Sequence, residues 1–181
     1  MSLDHFKSLL EELGKTIGLP DLKPDEELHC CLGVDEKIIL HIQYNDEFNQ
    51  MTLFSQLGYV PEEYQLKAYA LFLHANVFWK GTGGATIGVD KDSGVVSMGF
   101  IVPLFRMEYE QFQRLLENFI KNTEKWIVRV EEIAMGKLDE EAAEKAAEKA
   151  VENTEVPVSS VPDEATQDFN GTESPVGGFR V

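Results

Sequence analysis

The fold is decided by residues 28–44, which read LHCCLGVDEKIILHIQY. In both halves of this stretch apolar residues occupy every second position, a period typical of β-strands with one buried face. The alternating set is Leu28, Cys30, Leu32 and Val34 in the first half and Ile38, Leu40, Ile42 and Tyr44 in the second. Because Asp35-Glu36 supplies a polar turn between the halves, the stretch predicts a β-hairpin.

The opposite face of this hairpin is less polar than a face in contact with water alone needs to be. It carries Cys31, Ile39 and His41, and the next predicted strand, residues 51–57, adds Phe54. Antiparallel sheets with one solvated face usually carry mainly polar residues on that face. We therefore expect something else to cover it.

An amphipathic helix is predicted before the hairpin. In residues 3–17, apolar side chains recur at spacings of three and four, at Phe6, Leu9, Leu10, Leu13 and Ile17. This spacing puts them on one face of an α-helix. Gly18 favours a left-handed helix end, and Pro20 follows where a helix could not easily continue.

A second helix is predicted to begin at Pro61 and to run to about Phe78. Its apolar residues lie nearly all round the helix, at Leu66, Tyr69, Ala70, Leu71, Phe72, Leu73, Val77 and Phe78. A helix without a polar face is buried on two sides. In a domain of this size, a second subunit becomes the favoured partner for one of those sides.

A second hairpin and a closing helix complete the pattern. Residues 85–90 and 95–104 predict two strands joined by a turn at 91–94, and residues 108–135 predict a long amphipathic helix. The strand connections are mostly too short for parallel crossovers. The sequence therefore predicts an α+β fold with an antiparallel twisted sheet and three helices, in the order α-β-β-β-α-β-β-α.

The composition changes after Leu138, and we divide the chain there. Residues 1–138 are predicted to form the α+β domain, and residues 139–181 an acidic tail that is partly helical or disordered. The tail holds eleven acidic and three basic residues, against 21 acidic and 13 basic residues in the domain. Its Ala/Glu/Lys-rich run favours a solvated helix, and its Pro, Gly and Ser residues favour disorder.

The charge of the chain excludes several classes of partner. With 181 residues and a net charge of -16, the chain lacks the Lys and Arg clusters on which nucleic-acid and anionic-membrane binding depend. No run approaches the ~18 apolar residues of a membrane span, and residues 1–13 do not resemble a signal peptide. We therefore expect a cytoplasmic protein with no nucleic-acid partner, no membrane insertion and reduced thiols at Cys30 and Cys31.

No pattern of catalytic or metal-binding residues is complete. His29, Cys30, Cys31 and His41 lack the spacing of a zinc site. A Cys31–His41 nucleophile pair has no evident third group to orient it. The glycine-rich loop at residues 80–84 lacks the phosphate-loop spacing and follows a helix instead of opening one. We therefore predict no enzymatic activity, no cofactor and no metal site.

The order of the elements, taken with particular residues, resembles the class I chaperones of bacterial type III secretion, the family that includes the Tir chaperone. The similar features are the first helix with Phe6, Leu9, Leu10 and Leu13, the exit Gly18-Leu19-Pro20, the helix end Leu73-His74-Ala75-Asn76, Gly83-Gly84 before a strand, Ile87-Gly88-Val89-Asp90, Gly94-Val95-Val96, and the closing helix with Phe112, Leu115, Leu116 and Trp126. The resemblance covers residues 2–135 and does not extend to the tail.

This resemblance implies a cytoplasmic homodimer that binds the N-terminal region of one or more secreted effectors in extended form. Binding would keep that region soluble and competent for secretion. The acidic surface could also attract basic segments of the effector or of the type III export ATPase, which is a further candidate partner.

The resemblance points to two sets of residues. Effector binding falls on the first helix and the less polar strand face, at Leu10, Leu13, Ile39, His41, Met51 and Phe54. Dimerisation falls on the second helix and the strands after it, at Leu66, Tyr69, Ala70, Leu73, Val96 and Met98. Burial inside the monomer is the alternative for each residue, because periodicity does not say which face is covered.

Two other functions stay open from the sequence. A YbjN-like bacterial regulatory or binding protein would share this architecture without a role in secretion. A small enzyme would use Cys31 and His41, and replacing Cys31 with alanine would then abolish turnover.

Overall fold

The computed structural model describes residues 2–137. Its elements are α1 (Ser2–Ile17), β1 (His29–Val34), β2 (Ile38–Asn45), β3 (Gln50–Tyr59), α2 (Gln65–Asn76), β4 (Thr86–Val89), β5 (Val95–Pro103) and α3 (Tyr109–Ala134). The predicted order of helices and strands is confirmed, and so is the α+β class. The predicted tail, residues 139–181, lies outside the described residues.

The strands form one antiparallel sheet in the order β1-β2-β3-β5-β4. In the first hairpin Cys31 lies opposite His41, as the alternating pattern of residues 28–44 requires. Asp35 and Glu36 have φ angles of 49° and 58°, and they turn the chain between β1 and β2. The same alternation buries Cys30 in the core and leaves Cys31 exposed.

The third strand is longer than its apolar pattern predicts. Gly58, expected to end the strand, instead forms a bulge within it, with a φ of 130° and a register shift toward Val96. Glycine adopts this φ without a steric penalty, so β3 continues to Tyr59.

The second helix is shorter than its apolar run predicts. α2 ends at Asn76, because the backbone of Val77 is extended and Phe78 and Trp79 have left-handed φ angles of 51° and 53°. The prediction of one helix to Phe78 is therefore wrong by two residues. At the other end, a short 3-10 turn at Glu62–Tyr64 precedes α2.

The core lies between one face of the sheet and the helices. It takes Phe6, Leu9, Leu10 and Leu13 from α1, Phe112, Leu116, Phe119, Trp126, Val130 and Ile133 from α3, and Leu40, Ile42, Met51, Leu53, Val96 and Met98 from the strands. Aromatic pairs join the layers: the ring of Phe6 stacks on Tyr44 at 5.0 Å, and Phe72 of α2 meets Trp126 edge-on at 5.9 Å. Each large apolar side chain buried here stabilises the fold by about 1.5–3 kcal/mol.

One residue on the outer edge of β4 is paired with a side chain. Asn76, at the end of α2, donates from Nδ2 to the carbonyl of Ile87 and accepts from the Ile87 N–H at its Oδ1, both at 2.9 Å. These bonds occupy backbone groups that an edge strand would otherwise leave unpaired.

No helix within residues 2–137 is long and apolar enough to cross a membrane.

Candidate functional site

The candidate site is the sheet face opposite the core, which we call the outward face. The strand registers assign to it His29, Cys31, Gly33, Ile39, His41, Gln43, Thr52, Phe54, Thr86, Gly88, Ser97, Gly99 and Ile101. Every one of these residues is half-buried or exposed. This is the face that the sequence predicts to be covered by something other than water.

One row of residues on the outward face crosses the whole sheet. The pairings place Cys31, His41, Phe54, Gly99 and Thr86 side by side on the five strands. The rings of His41 and Phe54 lie 4.6 Å apart and are nearly parallel, with 6° between their planes. Such a row offers aromatic surface to an incoming apolar side chain.

Aliphatic side chains extend this surface on both sides of the row. Ile39 on β2 is 56% exposed, and Ile101 on β5 is 58% exposed. Single exposed aliphatic residues are common on protein surfaces, but these two share one face with the Phe54 and His41 rings. Together they form an apolar surface of the kind that binds other polypeptides.

Three glycines keep parts of the outward face bare. A Cβ atom at Gly33 or Gly88 would meet no atom within 4 Å, and one at Gly99 would meet only the carbonyl oxygen of Leu53, at 3.9 Å. Glycine inside a strand weakens the strand and often marks a place where another backbone approaches closely. These open positions therefore suit a ligand that lies flat on the sheet.

A histidine pair stands at the β1 side of the face. Nε2 of His29 and Nδ1 of His41 are 3.0 Å apart and share a hydrogen bond. Desolvation by burial, followed by the nearby His29, lowers the pKa of His41. On the other side of His29, its Nδ1 lies 3.6 Å from Oδ2 of Asp25.

The outer edge of β1 has backbone groups that no other described residue pairs with. The carbonyl of Leu28 accepts a hydrogen bond from the N–H of Tyr44 on β2. The carbonyl of His29 points to the other side of β1 and accepts a hydrogen bond from the N–H of Asp25. Because backbone groups alternate along a strand, the N–H and C=O groups of Cys31 and Gly33 point away from β2. They have no hydrogen-bond partner within residues 2–137. An incoming strand could pair with them.

The structure divides the predicted effector-binding residues into two groups. Ile39, His41 and Phe54 lie together on the outward face. Leu10 and Leu13 instead lie in the core, because the apolar stripe of α1 faces the sheet. Met51 is also fully buried: it is three residues from Phe54, and an odd spacing in a strand places the two side chains on opposite faces.

The predicted dimer residues are divided in the same way. Leu66 and Leu73 are 86% and 69% exposed, and with Ala70 they form one stripe along α2 that the 52% exposed Val77 continues directly after the helix. Tyr69 is half-buried beside the stripe. Val96 and Met98 are fully buried, because they occupy the core face of β5.

Sequence reasoning missed the β5 part of the face. Gly99 and Ile101 become neighbours of Phe54 and Thr52 only through the pairing of β3 with β5. It also missed a cavity of about 360 Å³ on the core side, lined by Thr82, Phe100, Arg114, Leu115 and Phe119 among others. Residues 2–137 contain no group of three or more His, Cys, Asp or Glu side chains that could hold a metal ion.

Comparison with known sequences identifies the relatives of this chain. The model of the Tir chaperone protein (CesT) family matches residues 8–127. A protein of Chlamydia pneumoniae is 26% identical over 126 residues, which covers 67% of this chain and 93% of that protein.

Solved structures share the fold. A chain of the ExsC–ExsE complex superposes with a TM-score of 0.62 at 22% identity, over 70% of this chain and 94% of that one. A chain of the HopA1–SchA chaperone–effector complex gives a TM-score of 0.58 at 18% identity, over 70% of this chain and 96% of that one. A third structure is the Yersinia pestis type III secretion chaperone SycH in complex with a stable fragment of YscM2. A chain of this complex gives a TM-score of 0.53 at 21% identity, over 67% of this chain and 98% of that one.

Proposed function

Because the chain belongs to the Tir chaperone protein (CesT) family, we propose that it binds one or more effectors of a type III secretion system in the bacterial cytoplasm. It is a chaperone-family protein and not an enzyme. In this proposal it holds the N-terminal region of its effector in extended form. The bound region stays soluble and competent for secretion, because its apolar side chains are covered until export.

The observation that carries the proposal is the uncovered apolar surface of the outward face. Ile39 and Ile101 are more than half exposed beside the stacked rings of His41 and Phe54. An unfolded polypeptide exposes apolar side chains that need such a surface. One related fold belongs to the HopA1–SchA chaperone–effector complex, which supports the same role here.

The open edge at β1 supplies the second half of the binding mode. An extended effector segment would pair its backbone with the free N–H and C=O groups of Cys31 and Gly33 and so add a strand to the sheet. Every second side chain of this segment would lie on the same side of the sheet as the outward face. Backbone pairing gives affinity without demanding a particular sequence, which suits a chaperone with more than one client.

We propose that the chaperone is a homodimer that associates through α2. The stripe formed by Leu66, Ala70, Leu73 and Val77 is apolar and exposed in the single chain. Leu66, Ala70 and Leu73 are spaced by four and three, so they lie on one side of α2, and Val77 follows directly after the helix. This stripe can pack against its own copy in a second chain. The half-buried Tyr69 would border this contact.

The export ATPase is the second partner in this proposal. Residues 1–138 carry 21 acidic and 13 basic residues, so the domain is negatively charged. A negative surface raises the rate of encounter with basic segments of a partner. We expect this contact to weaken as the salt concentration rises, since exposed charges are screened.

The proposal is tested by purifying the tagged chain from a host with a functional type III secretion system. We expect one or a few secreted proteins to copurify with a dimer of the chain, and limited proteolysis to leave their N-terminal regions protected. A monomer that copurifies with no secreted protein would contradict the proposal, as would protection confined to a folded effector domain.

A further inference from the structure

The two histidines of the outward face act on each other directly. The 3.0 Å contact between Nε2 of His29 and Nδ1 of His41 requires one nitrogen to donate a proton and the other to accept. The two rings also stack with Phe54, at 6.2 Å from His29 and 4.6 Å from His41. The protonation of the pair and the shape of this apolar surface are therefore linked.

The pair accommodates one added proton but not two. When one imidazole is charged, its N–H still donates to the neutral partner, and the hydrogen bond remains. When both are charged, each ring nitrogen carries a hydrogen, so two donors and two positive charges would face each other at 3.0 Å. The rings must then separate, which disturbs their stacking with Phe54.

Within the described residues, one carboxylate stands beside the pair and can compensate one positive charge. Asp25 is the carboxylate beside the pair, 3.6 Å from Nδ1 of His29, and its Oδ1 also accepts from the backbone N–H of His29 at 2.8 Å. Cys31 lies directly opposite His41 across the strands, and Phe54 flanks His41 on β3. The neighbouring outward residues of β2, β3 and β5, Gln43, Thr52 and Ile101, carry no charge.

We propose that the histidine pair makes effector binding depend on pH, so that the outward face binds its effector while at least one imidazole is neutral and releases it when both are protonated. This inference rests on the proposed function, since the bound effector is the ligand of this face. It adds a regulated release step to that function.

Burial of the histidine pair determines that affinity for the effector falls, and does not rise, as the pH falls. Desolvation, together with the nearby His29, already lowers the pKa of His41 in the free protein. An effector that covers the pair removes more water, so it lowers the pKa for the second proton further. The complex then holds fewer protons than the free chaperone once the pH falls through the lowered pKa of the second proton in the free protein, and below that point affinity falls by up to about tenfold per pH unit.

The test uses the effector segment identified by copurification, made as a peptide of its N-terminal region. Its dissociation constant is measured at about pH 7.5 and about pH 5 with the wild type, the double variant His29→Gln/His41→Gln and the control His74→Gln, whose histidine is exposed on α2. We expect affinity to fall by about tenfold or more in the wild type and the control, and by less than about threefold in the double variant.

The outcomes separate this inference from the function on which it rests. Equal losses of affinity in all three proteins would overturn the histidine mechanism and leave the chaperone function standing. No binding at any pH would overturn the proposed function and the pH dependence with it. In the free protein, NMR titration of the imidazole C–H signal of His41 should show that its lowered pKa rises in His29→Gln, because the nearby His29 is one cause of that lowering; an unchanged pKa of His41 in this variant would also overturn the inference.

Discussion

At the scale of single residues, the two adjacent cysteines show how strongly a strand separates neighbours. Cys30 is 4% exposed in the core, and burial raises the pKa of its thiol. Cys31 is exposed on the outward face. Because side chains of a strand alternate between faces, the two thiols cannot share an environment.

This difference predicts selective alkylation. With iodoacetamide under native conditions at neutral pH, we expect one modification at Cys31, because a buried thiol with a raised pKa has little reactive thiolate. Cys31→Ala should abolish the fast reaction, and Cys30→Ala should leave it unchanged. Mass spectrometry distinguishes the sites, and two modifications at equal rates would contradict the structure.

The residues of the candidate site were predictable in part. Ile39, His41 and Phe54 follow from strand alternation and lie on the outward face. Met51 instead faces the core, because its odd spacing to Phe54 places the two side chains on opposite faces of β3. Leu10 and Leu13 also face the core, because an apolar helix stripe can pack into a core as well as bind a ligand. Gly99 needs the β3–β5 register, which no local pattern contains.

At the scale of elements, α2 is the one whose apolar residues outnumber its buried positions. Only Ala68 and Phe72 of this helix are buried, while Leu66 and Leu73 are exposed on another side. Exposed leucines in a row along one helix favour association with a second chain. This distribution is what we expect of a helix that packs against the core on one side and, in our proposal, against a second subunit on the other.

The proposed dimer contact is tested by Leu73→Asp. An aspartate in a desolvated contact would be an unpaired buried charge, and we expect it to convert the dimer to a monomer or an aggregate. Val128→Asp is the matched control, because Val128 is 48% exposed and belongs to α3 and not to the α2 stripe. Light scattering gives the mass, and an unchanged dimer in Leu73→Asp would contradict the proposed interface.

The elements themselves follow from local sequence, but some of their ends do not. Periods of two and of three to four residues identify all the helices and strands, since each element buries one face. The pattern does not distinguish a strand end from a bulge at Gly58, nor a helix from the separate turn at Val77–Trp79. Both depend on backbone angles that tertiary packing selects.

At the scale of the whole molecule, the charge is divided between two parts of the chain. Residues 139–181 hold eleven acidic and three basic residues, although they are about a quarter of the sequence. Their apolar content is largely alanine and valine, which would bury little area. The family match ends before them, at residue 127.

We expect truncation after Leu138 to leave the melting temperature nearly unchanged, because the core of residues 2–137 contains its own helices and sheet. Calorimetry of the full-length and truncated chains measures the difference. A drop of more than about 4 °C would correspond to roughly 1 kcal/mol of stabilisation lost, and it would contradict the division of the chain at this point.

We propose that the outward face binds the extended effector. Calorimetric titration of the effector's N-terminal segment into the chaperone measures this binding directly. The double variant Ile39→Glu/Ile101→Glu places charges at two positions that are more than half exposed, so the fold should tolerate them, and Val128→Glu is the control. We predict that the double variant binds about tenfold or more weakly, while the control binds like the wild type. Equal affinities of all three proteins for the segment would contradict the account.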